Sequence, residues 1–436
     1  MFKIKKDKAN DKITPDFMPM IRIVFWNSMG FFFFWFLGQF AVIQLFEASP
    51  TELGLSFSGQ TFGGLVSAPI VGYLTDKMSK KILVLIGSFG RGIAYIIMYI
   101  GILISILPVF AFGLFCLGFF VGFFWSPLDA LIAQKSHKKY RSSAFGIQGG
   151  MLGWGNLTGS TLSVVIFLIT NLLVPDNPFL VYSPLIIFMI SNVYAGIKFN
   201  KNVDEDLTYE SFSNNISENM EIPNTTEVKV EESHEDKGNR ILFFYLGFSI
   251  LVLAFMTSNI NQTIAPPFFM LYLNDEIGVV NPIAIMLIYL PSQIVSLLLA
   301  PKMGKLADKI SPVLGVVLVS GFGALVTFLI INSVNGLMFA IILLLDSTFA
   351  WAGNLILQNV ISRISKSHRG KIFGLARWMS YIGAVIGPLI GGWTYAEFGS
   401  ITPFVISIFV ELSVIPLYIS AIKVLKPHMA ERLDED

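Results

Sequence analysis

The chain has 436 residues, of which 54% are hydrophobic and 14% are charged, and its mean hydropathy is +0.68. Soluble domains carry about 25% charged residues, so this composition predicts a protein embedded in a membrane. The net charge of +1 is uninformative about nucleic acid, because the charges are unevenly placed, and we expect no nucleic-acid partner. The single cysteine, Cys116, excludes a disulfide framework and a cysteine-rich metal site.

Twelve apolar segments are long enough to cross a bilayer, which takes about 20 helical residues. The sixth and seventh segments are separated by residues 200–239, which are acidic, rich in Ser and Asn and poor in large apolar side chains. This composition is typical of a flexible linker, with room for a short helix. The segments lie at roughly 19–46, 54–74, 82–104, 108–133, 142–170, 178–199, 241–272, 280–300, 313–332, 336–362, 371–397 and 401–422.

The distribution of positive charge predicts the orientation of the chain. Nearly all of the 30 Lys and Arg residues fall in the two tails, the linker and the even-numbered loops between segments. Odd-numbered loops, such as FEASPTEL and VPDNP, have none. Because cytoplasmic loops carry the excess of Lys and Arg, we expect both termini and the linker to be cytoplasmic.

Two pairs of similar stretches indicate that the two halves of the chain are repeats. APIVGYLTDKMS, from Ala68, and APKMGKLADKIS, from Ala300, match at seven of twelve positions. YRSSAFGIQGGMLGWGNLTGS, from Tyr140, and HRGKIFGLARWMSYIGAVIGP, from His368, share one Arg, one Phe and three Gly. Their equivalent places predict parallel repeats related by a pseudo-two-fold axis along the membrane normal, an architecture found in alternating-access transporters.

The predicted fold is therefore an all-α integral membrane protein with twelve transmembrane helices. It has an N-terminal six-helix bundle at 1–199, a cytoplasmic flexible linker at 200–239 and a C-terminal six-helix bundle at 240–436. The loop GYLTDKMSKK, from Gly72, resembles the motif G-x-L-a-D-r-x-G-r-k of the major facilitator superfamily, with serine in place of the second glycine. A weaker copy runs from Gly304 to Ser311. The resemblance covers the whole chain and implies a transporter of the cell membrane; we expect a monomer without a cofactor.

The resemblance implies that this motif is a cytoplasmic latch. In the family its aspartate, here Asp76, stabilises the start of the eleventh helix, here near Lys371, when the transporter is closed to the cytoplasm. A helix N-terminus favours an anion, and Gly72 would let two helices approach closely. By the repeat, Asp308 should face the start of the fifth helix, near Ser142.

The charged neighbours of this aspartate have two interpretations. The lysines either pair with acids or anionic lipid, or they only set the topology. Asp129, near the cytoplasmic end of the fourth segment, resembles the family's acidic partner of the cluster, although its repeat mate is Leu357. The complete predicted latch consists of Gly72, Asp76, Lys77, Lys80, Lys81, Asp129, Gly304, Asp308 and Lys309.

Five of the charged residues inside the predicted spans are candidates for function, because a charge there is costly. Asp129 and Arg377 lie near the cytoplasmic edge, and Arg91, Asp346 and Glu411 lie nearer the middle. In the family the first, fourth, seventh and tenth helices line the central cavity, which implies that Asp346 binds a proton or a cationic group. The alternative is that a neighbouring Asn or Ser satisfies it. For Arg91 and Glu411, on outer helices, structural pairing is the favoured interpretation, and the role of Arg377 stays open.

Other polar side chains on the presumed cavity helices are further candidates for binding protons or substrate. Asn354 and Gln358 are four residues apart and share a helix face, and Pro266-Pro267 must break or kink the seventh segment. Nothing in the spans resembles a metal site or a catalytic triad, so neither a metal nor an enzyme activity is expected. The candidates are Asn27, Gln39, Asn259, Asn261, Gln262, Asn354 and Gln358.

The leading hypothesis is a secondary active transporter that exports a small organic solute by alternating access, coupled to protons. Uptake by symport or uniport is the alternative, and a transporter-like receptor that does not transport is a hypothesis of another class. Drug–proton antiporters of the family carry G-x-x-x-G-P-x-x-G-G in the fifth helix, whereas this chain has it in the eleventh, from Gly383 to Gly392. That departure weakens the antiporter assignment, because the glycines are equally consistent with a packing seam.

Overall fold

A computed structural model describes residues 12–137, 140–212, 237–292, 295, 310–364 and 369–425. Within these residues the backbone is helical, and one isolated bridge joins Ile13 to Ser136. The helices are α1 (Phe17–Asn27), α2 (Phe31–Phe40), α3 (Pro50–Lys77), α4 (Lys80–Leu103), α5 (Leu107–Gln134), α6 (Arg141–Leu173), α7 (Pro178–Val181), α8 (Pro184–Asn202), α9 (Lys237–Ile264), α10 (Phe269–Asp275), α11 (Pro282–Ser292), α12 (Pro312–Ile331), α13 (Gly336–Ile364), α14 (Arg369–Phe398) and α15 (Thr402–Leu425).

Helices are the expected solution for an apolar chain in lipid, because they satisfy every backbone N–H and C=O internally. Among the described residues, six helical stretches are long and apolar enough to cross a membrane, judged by length and composition. They are Lys80–Leu103, Leu107–Gln134, Ser143–Leu173, Tyr245–Asp275, Val313–Ile331 and Thr402–Leu425.

The first predicted span, 19–46, is wrong as a continuous helix. It ends at Asn27, turns at Gly30 and resumes as α2, which passes into a π-helical turn at Ala41–Leu45. Gly30 has φ +78°, a left-handed conformation that favours glycine. A Cβ there would also collide with the ring of Phe188, so packing and backbone conformation both select glycine.

The seventh predicted span has the break that its two prolines require. Helix α9 ends at Ile264, a short 3-10 turn covers Pro266–Phe268, and α10 continues to Asp275. Each proline lacks the N–H that an α-helix needs and pushes its ring against the preceding turn. The chain therefore changes direction here without leaving the bundle core, since Pro267 and Phe268 are both buried.

The described helices pack into two compact units. The first comprises Met1–Trp35 and Val66–Ser233, and the second comprises Phe36–Leu65 and His234–Asp436. In the first unit, α1, α5 and α8 bury a core that includes Phe17, Phe124 and Phe199. In the second, α9, α12 and α15 bury Leu251, Tyr418 and their neighbours. The predicted domain boundaries at 199 and 240 stay a prediction.

Within the second unit, residues 36–65 pack against α14 through small residues. The hydroxyls of Ser58 and Thr61 donate to backbone carbonyls of α14, at 2.8 and 3.1 Å. A Cβ at Gly54 would collide with the Pro388 carbonyl, and a Cβ at Gly392 would lie 2.6 Å from the Pro50 carbonyl. The other glycines of the α14 pattern face the backbone of α9. The pattern is therefore a packing seam in this unit.

Candidate functional site

The motif loop lies between α3 and α4, and its residues have different surroundings. Asp76 and Lys77 are exposed in the last turn of α3, and Lys77 Nζ donates to Tyr73 Oη at 2.5 Å. A Cβ added at Gly72 would meet nothing within 4 Å among the described residues. The close helix approach predicted at Gly72 is therefore not seen among the described residues, and it stays a prediction.

The motif's unusual serine caps a helix. Ser79 Oγ accepts a hydrogen bond from Ile82 N–H at 3.2 Å, so it satisfies one free donor at the N-terminus of α4. Glu205, from the predicted linker, accepts from the Ser79 hydroxyl, and from the backbone N–H groups of Lys80 at 2.7 Å and Lys81 at 3.2 Å. The first few linker residues therefore complete the cap that the motif begins.

Electrostatics favour a charged Glu205 at this position. Partial burial raises the pKa of the Glu205 carboxyl, but the hydrogen bonds from Ser79, Lys80 and Lys81 outweigh burial, and the pKa is lowered overall. The positive end of the α4 dipole acts in the same direction. The positive charge of Lys80 also lowers the pKa of this carboxyl, and the pairing of the motif's lysines with acids stays a prediction.

A buried ion pair holds the same part of the linker. Lys135 is fully buried, and its Nζ lies 2.8 Å from Asp16 Oδ2. The ammonium also donates to the carbonyls of Asp204 and Leu207, and the Asp204 N–H donates to Asp16 at 3.1 Å. Together with Glu205, these contacts form what we call the Lys135 clamp: Asp16, Ser79, Lys135, Asp204, Glu205 and Leu207. The clamp orders the chain beyond the predicted linker start at 200.

The remaining latch residues are only partly described. Asp129 is half-buried and accepts a hydrogen bond from Gln148 Nε2 at 2.9 Å. Its predicted pairing with the lysines stays a prediction. The second motif copy, Gly304, Asp308 and Lys309, lies outside the described residues.

Arg91 and Asn27, both buried, belong to a polar network in the first unit. The Arg91 guanidinium donates to the side-chain oxygen of Asn27 and, at 3.2 Å, to its backbone carbonyl. Asn27 Nδ2 donates to Asn192 Oδ1 at 2.9 Å, and the Arg91 charge lies 5.8 Å from the Phe124 ring centroid. The side chain of Asn27, a candidate for binding substrate, thus forms its hydrogen bonds with Arg91 and Asn192 inside the bundle. Gln39 is also buried, at 5% exposure.

The second unit contains a polar cavity of about 210 Å³. Described residues of five helices contribute to it, α9, α10, α12, α13 and α15, together with the turn at Ala265 and Pro266. Two carboxylates, Asp346 and Glu411, reach it from α13 and α15. Its lining also includes Ser258, Asn261, Gln262, Ala265, Pro266, Phe269, Val316, Val319, Ser320, Gly323, Thr327, Phe349, Ala350, Ser407, Val414 and Tyr418.

The two carboxylates of this cavity have different partners. Glu411 accepts hydrogen bonds from the amide of Asn261 and from the hydroxyl of Ser320. Ser407 in turn donates to Asn261 Oδ1 at 2.8 Å, which fixes the orientation of the amide. Asp346 is half-buried and makes no hydrogen bond or ion pair with another residue in the described part of the chain.

This cavity gathers only some of the residues predicted from sequence. Asn261, Gln262 and Asp346 line it, and Glu411 joins them from a helix expected to lie outside. Asn259 instead donates to the Phe255 carbonyl at 2.9 Å. The side chains of Asn354, Gln358 and Arg377 lie outside the described residues.

Sequence reasoning missed Ser320, Ser407 and Tyr418 in this lining. A signal was present, because Ser407, Glu411 and Tyr418 recur at helical spacing and share one face of α15. No group of three or more His, Cys, Asp or Glu that could hold a metal occurs within the described ranges.

A chain of apolar helices that encloses a polar cavity is typical of a multi-pass membrane transport protein. The family model of the Major Facilitator Superfamily matches residues 22–214 and 241–434, so the chain belongs to this superfamily. The predicted family and its fold of two helical bundles are thereby confirmed. The chain is a membrane transporter, and transporters of this family act within a lipid bilayer on small molecules.

Relatives of known name agree with this assignment. The chain is 23% identical over 353 residues to "Multidrug resistance protein MdtG" of Proteus mirabilis (strain HI4320), covering 79% of each protein. It is similar in fold to an inward-facing bacterial homologue of the human lysosomal transporter Spinster, with TM-score 0.64, 13% identity and coverage of 95% and 98% of the two chains. The nucleoside transporter NupG matches with TM-score 0.60, 12% identity and coverage of 94% and 98%.

Proposed function

We propose that the chain exports a small, amphiphilic organic solute across the cell membrane in exchange for protons. In this proposal it works as a monomer by alternating access, with both termini in the cytoplasm. The proposal is carried by the Asp346 carboxylate. It lies on a membrane helix, lines the cavity, and has no hydrogen-bond or ion-pair partner among the described residues. A carboxylate inside a membrane is costly, and taking up and releasing a proton is the simplest use for it.

The cavity lining supports an amphiphilic solute. About half of its residues are apolar, including Phe269 and Phe349, and the others carry hydroxyl, amide or carboxyl groups. Binding sites of this kind use apolar walls for affinity and a few polar groups for orientation. The relative named as a multidrug resistance protein supports export of organic compounds as the direction.

Coupling would follow from two protonation states of Asp346. When Asp346 binds a proton, the cavity has one negative charge fewer. Moving the site without solute through the low-dielectric bilayer interior then costs less free energy. Solute binding and proton binding would then compete for the same carboxylate. Because the site would hold either the solute or the proton at one time, neither would cross the membrane without exchange for the other.

The experiment is transport by purified protein in liposomes, with a broad panel of organic solutes and an imposed pH gradient. We expect gradient-driven flux that is lost in Asp346→Asn. The matched control is Asp176→Asn, in an exposed loop and not among the cavity's lining residues, which should transport normally. Absence of flux for every solute and ion gradient would refute transport, and binding without counterflow would favour a receptor. Unchanged proton coupling in Asp346→Asn would remove this residue from the mechanism.

A further inference from the structure

Two carboxyl groups, those of Asp346 and Glu411, share the cavity of the second unit, and no Lys, Arg or His is among its described lining residues. Asp346 and Glu411 lie close enough to repel each other electrostatically. Buried charges are normally paired, since the interior solvates them poorly. The cavity therefore favours a positively charged ligand, because its described lining supplies no positive charge.

A second observation points to a missing ligand. Tyr418 lines the cavity and is only 1% exposed, and its hydroxyl has no hydrogen-bond partner among the described residues. Buried polar groups are nearly always bonded, so an orphaned hydroxyl on a residue that lines a cavity calls for a partner. Asp346, across the same cavity, also has bonding capacity to spare.

The walls distinguish between kinds of cation. A bare metal ion would need a tight shell of oxygen atoms, whereas this cavity of about 210 Å³ combines its oxygens with Phe269, Phe349 and several aliphatic residues. Aromatic faces attract organic cations. The unused groups, a carboxylate and a hydroxyl, accept hydrogen bonds, and a protonated amine has N–H groups to donate.

We infer that this cavity binds a protonated organic amine, with its ammonium group between Asp346 and Glu411, in contact with the Tyr418 hydroxyl, and its apolar body against the aromatic wall. The inference rests on the proposed function, because it names the solute class of the same site. Glu411 holds the charge in place through its bonds to Asn261 and Ser320, and Asp346 is the acceptor left open for the ligand.

The test is calorimetric binding of benzylamine to the full-length purified protein, with benzyl alcohol as its neutral analogue of similar shape. We expect benzylamine to bind and benzyl alcohol to bind at least tenfold more weakly. Asp346→Asn and Glu411→Gln should each weaken benzylamine at least tenfold and leave benzyl alcohol unchanged. Benzyltrimethylammonium, which has no N–H donor, should bind more weakly than benzylamine.

Tyr418→Phe is the most specific test of the hydroxyl contact. It removes a hydroxyl that has no partner among the described residues and leaves the packed ring in place. It should fold normally and bind benzylamine three- to tenfold more weakly. Tyr289→Phe is the matched control: this hydroxyl is also buried without a described partner, but it does not line the cavity.

Equal binding of amine and alcohol, equal effects of the two tyrosine variants, or Na⁺ binding at these residues without benzylamine binding would overturn the inference. Proton-coupled export of neutral solutes alone would overturn it and leave the proposed function standing. Failure of all transport refutes the proposed function instead.

Discussion

The buried ion pair of the Lys135 clamp gives a quantitative prediction. Asp16→Ala leaves the Lys135 ammonium fully buried with two carbonyls and no counter-charge. Removing one partner of a buried pair costs about 3–5 kcal/mol, and we expect the lower end, about 3 kcal/mol, because the Asp16 side chain keeps 12% of its exposure. For a cooperative unit of 150–250 residues this corresponds to a fall in Tm of roughly 6–12 °C.

Lys135→Met should cost less than Asp16→Ala. The Asp16 carboxylate would still accept hydrogen bonds from the Thr14 hydroxyl at 2.7 Å and the Asp204 N–H at 3.1 Å. The double variant should be less destabilised than the sum of the two single variants, because it leaves no uncompensated charge. Thermal melting of purified protein in detergent measures all three, with Asp176→Ala as an exposed control. Melting temperatures that fall additively, or do not fall, would refute the pairing.

Three further predictions follow from the same structure. Glu205→Gln should cost about 0.5–1 kcal/mol at neutral pH after allowance for solvent screening. Because the pKa of Glu205 is lowered in the folded state, this stability is present above the unfolded pKa and disappears as the pH falls through the folded pKa. Wild type and variant should therefore melt alike in acid. Gly54→Ala should destabilise the protein by about 1–3 kcal/mol, because the new Cβ collides with the Pro388 carbonyl. Gly72→Ala on the same helix, where an added Cβ meets no described atom, should be neutral or stabilising. Equal melting shifts for the two variants would contradict the packing seam between residues 36–65 and α14. Asn27→Ala should cost about 2–3 kcal/mol, since it removes the side-chain acceptor of the buried Arg91 and leaves only the backbone carbonyl of residue 27 from this pair of acceptors. A melting temperature equal to wild type would contradict that role.

The fold was predictable because lipid leaves few choices. A backbone without water must be helical, and hydropathy then gives the segments. The break at Pro266-Pro267 followed from covalent geometry alone. The break at Gly30 did not, because glycine tolerates many conformations and this one is selected by Phe188, 158 positions away in the chain. Local sequence contains no record of such a contact.

The site was harder to predict for a geometric reason. Family resemblance indicates which helices line the central cavity, and it led to Asp346. It does not give the rotation of each helix about its axis. The sequence therefore favoured structural pairing for Glu411, although this residue of α15 lines the cavity. Glu205 had no signal at all, since one acid in an acidic linker looks like any other. Only the structure shows that it caps α4.

Proton movement driven by solute tests the central claim most directly. Liposomes with a pH-sensitive dye in the lumen would receive an inward gradient of a transported solute. In an exchange, protons leave as solute enters, so the lumen should become alkaline with wild-type protein and stay unchanged with Asp346→Asn. Acidification of the lumen would indicate symport, and solute entry without a pH change would indicate uniport. Either result, or alkalinisation that persists in Asp346→Asn, would contradict the account.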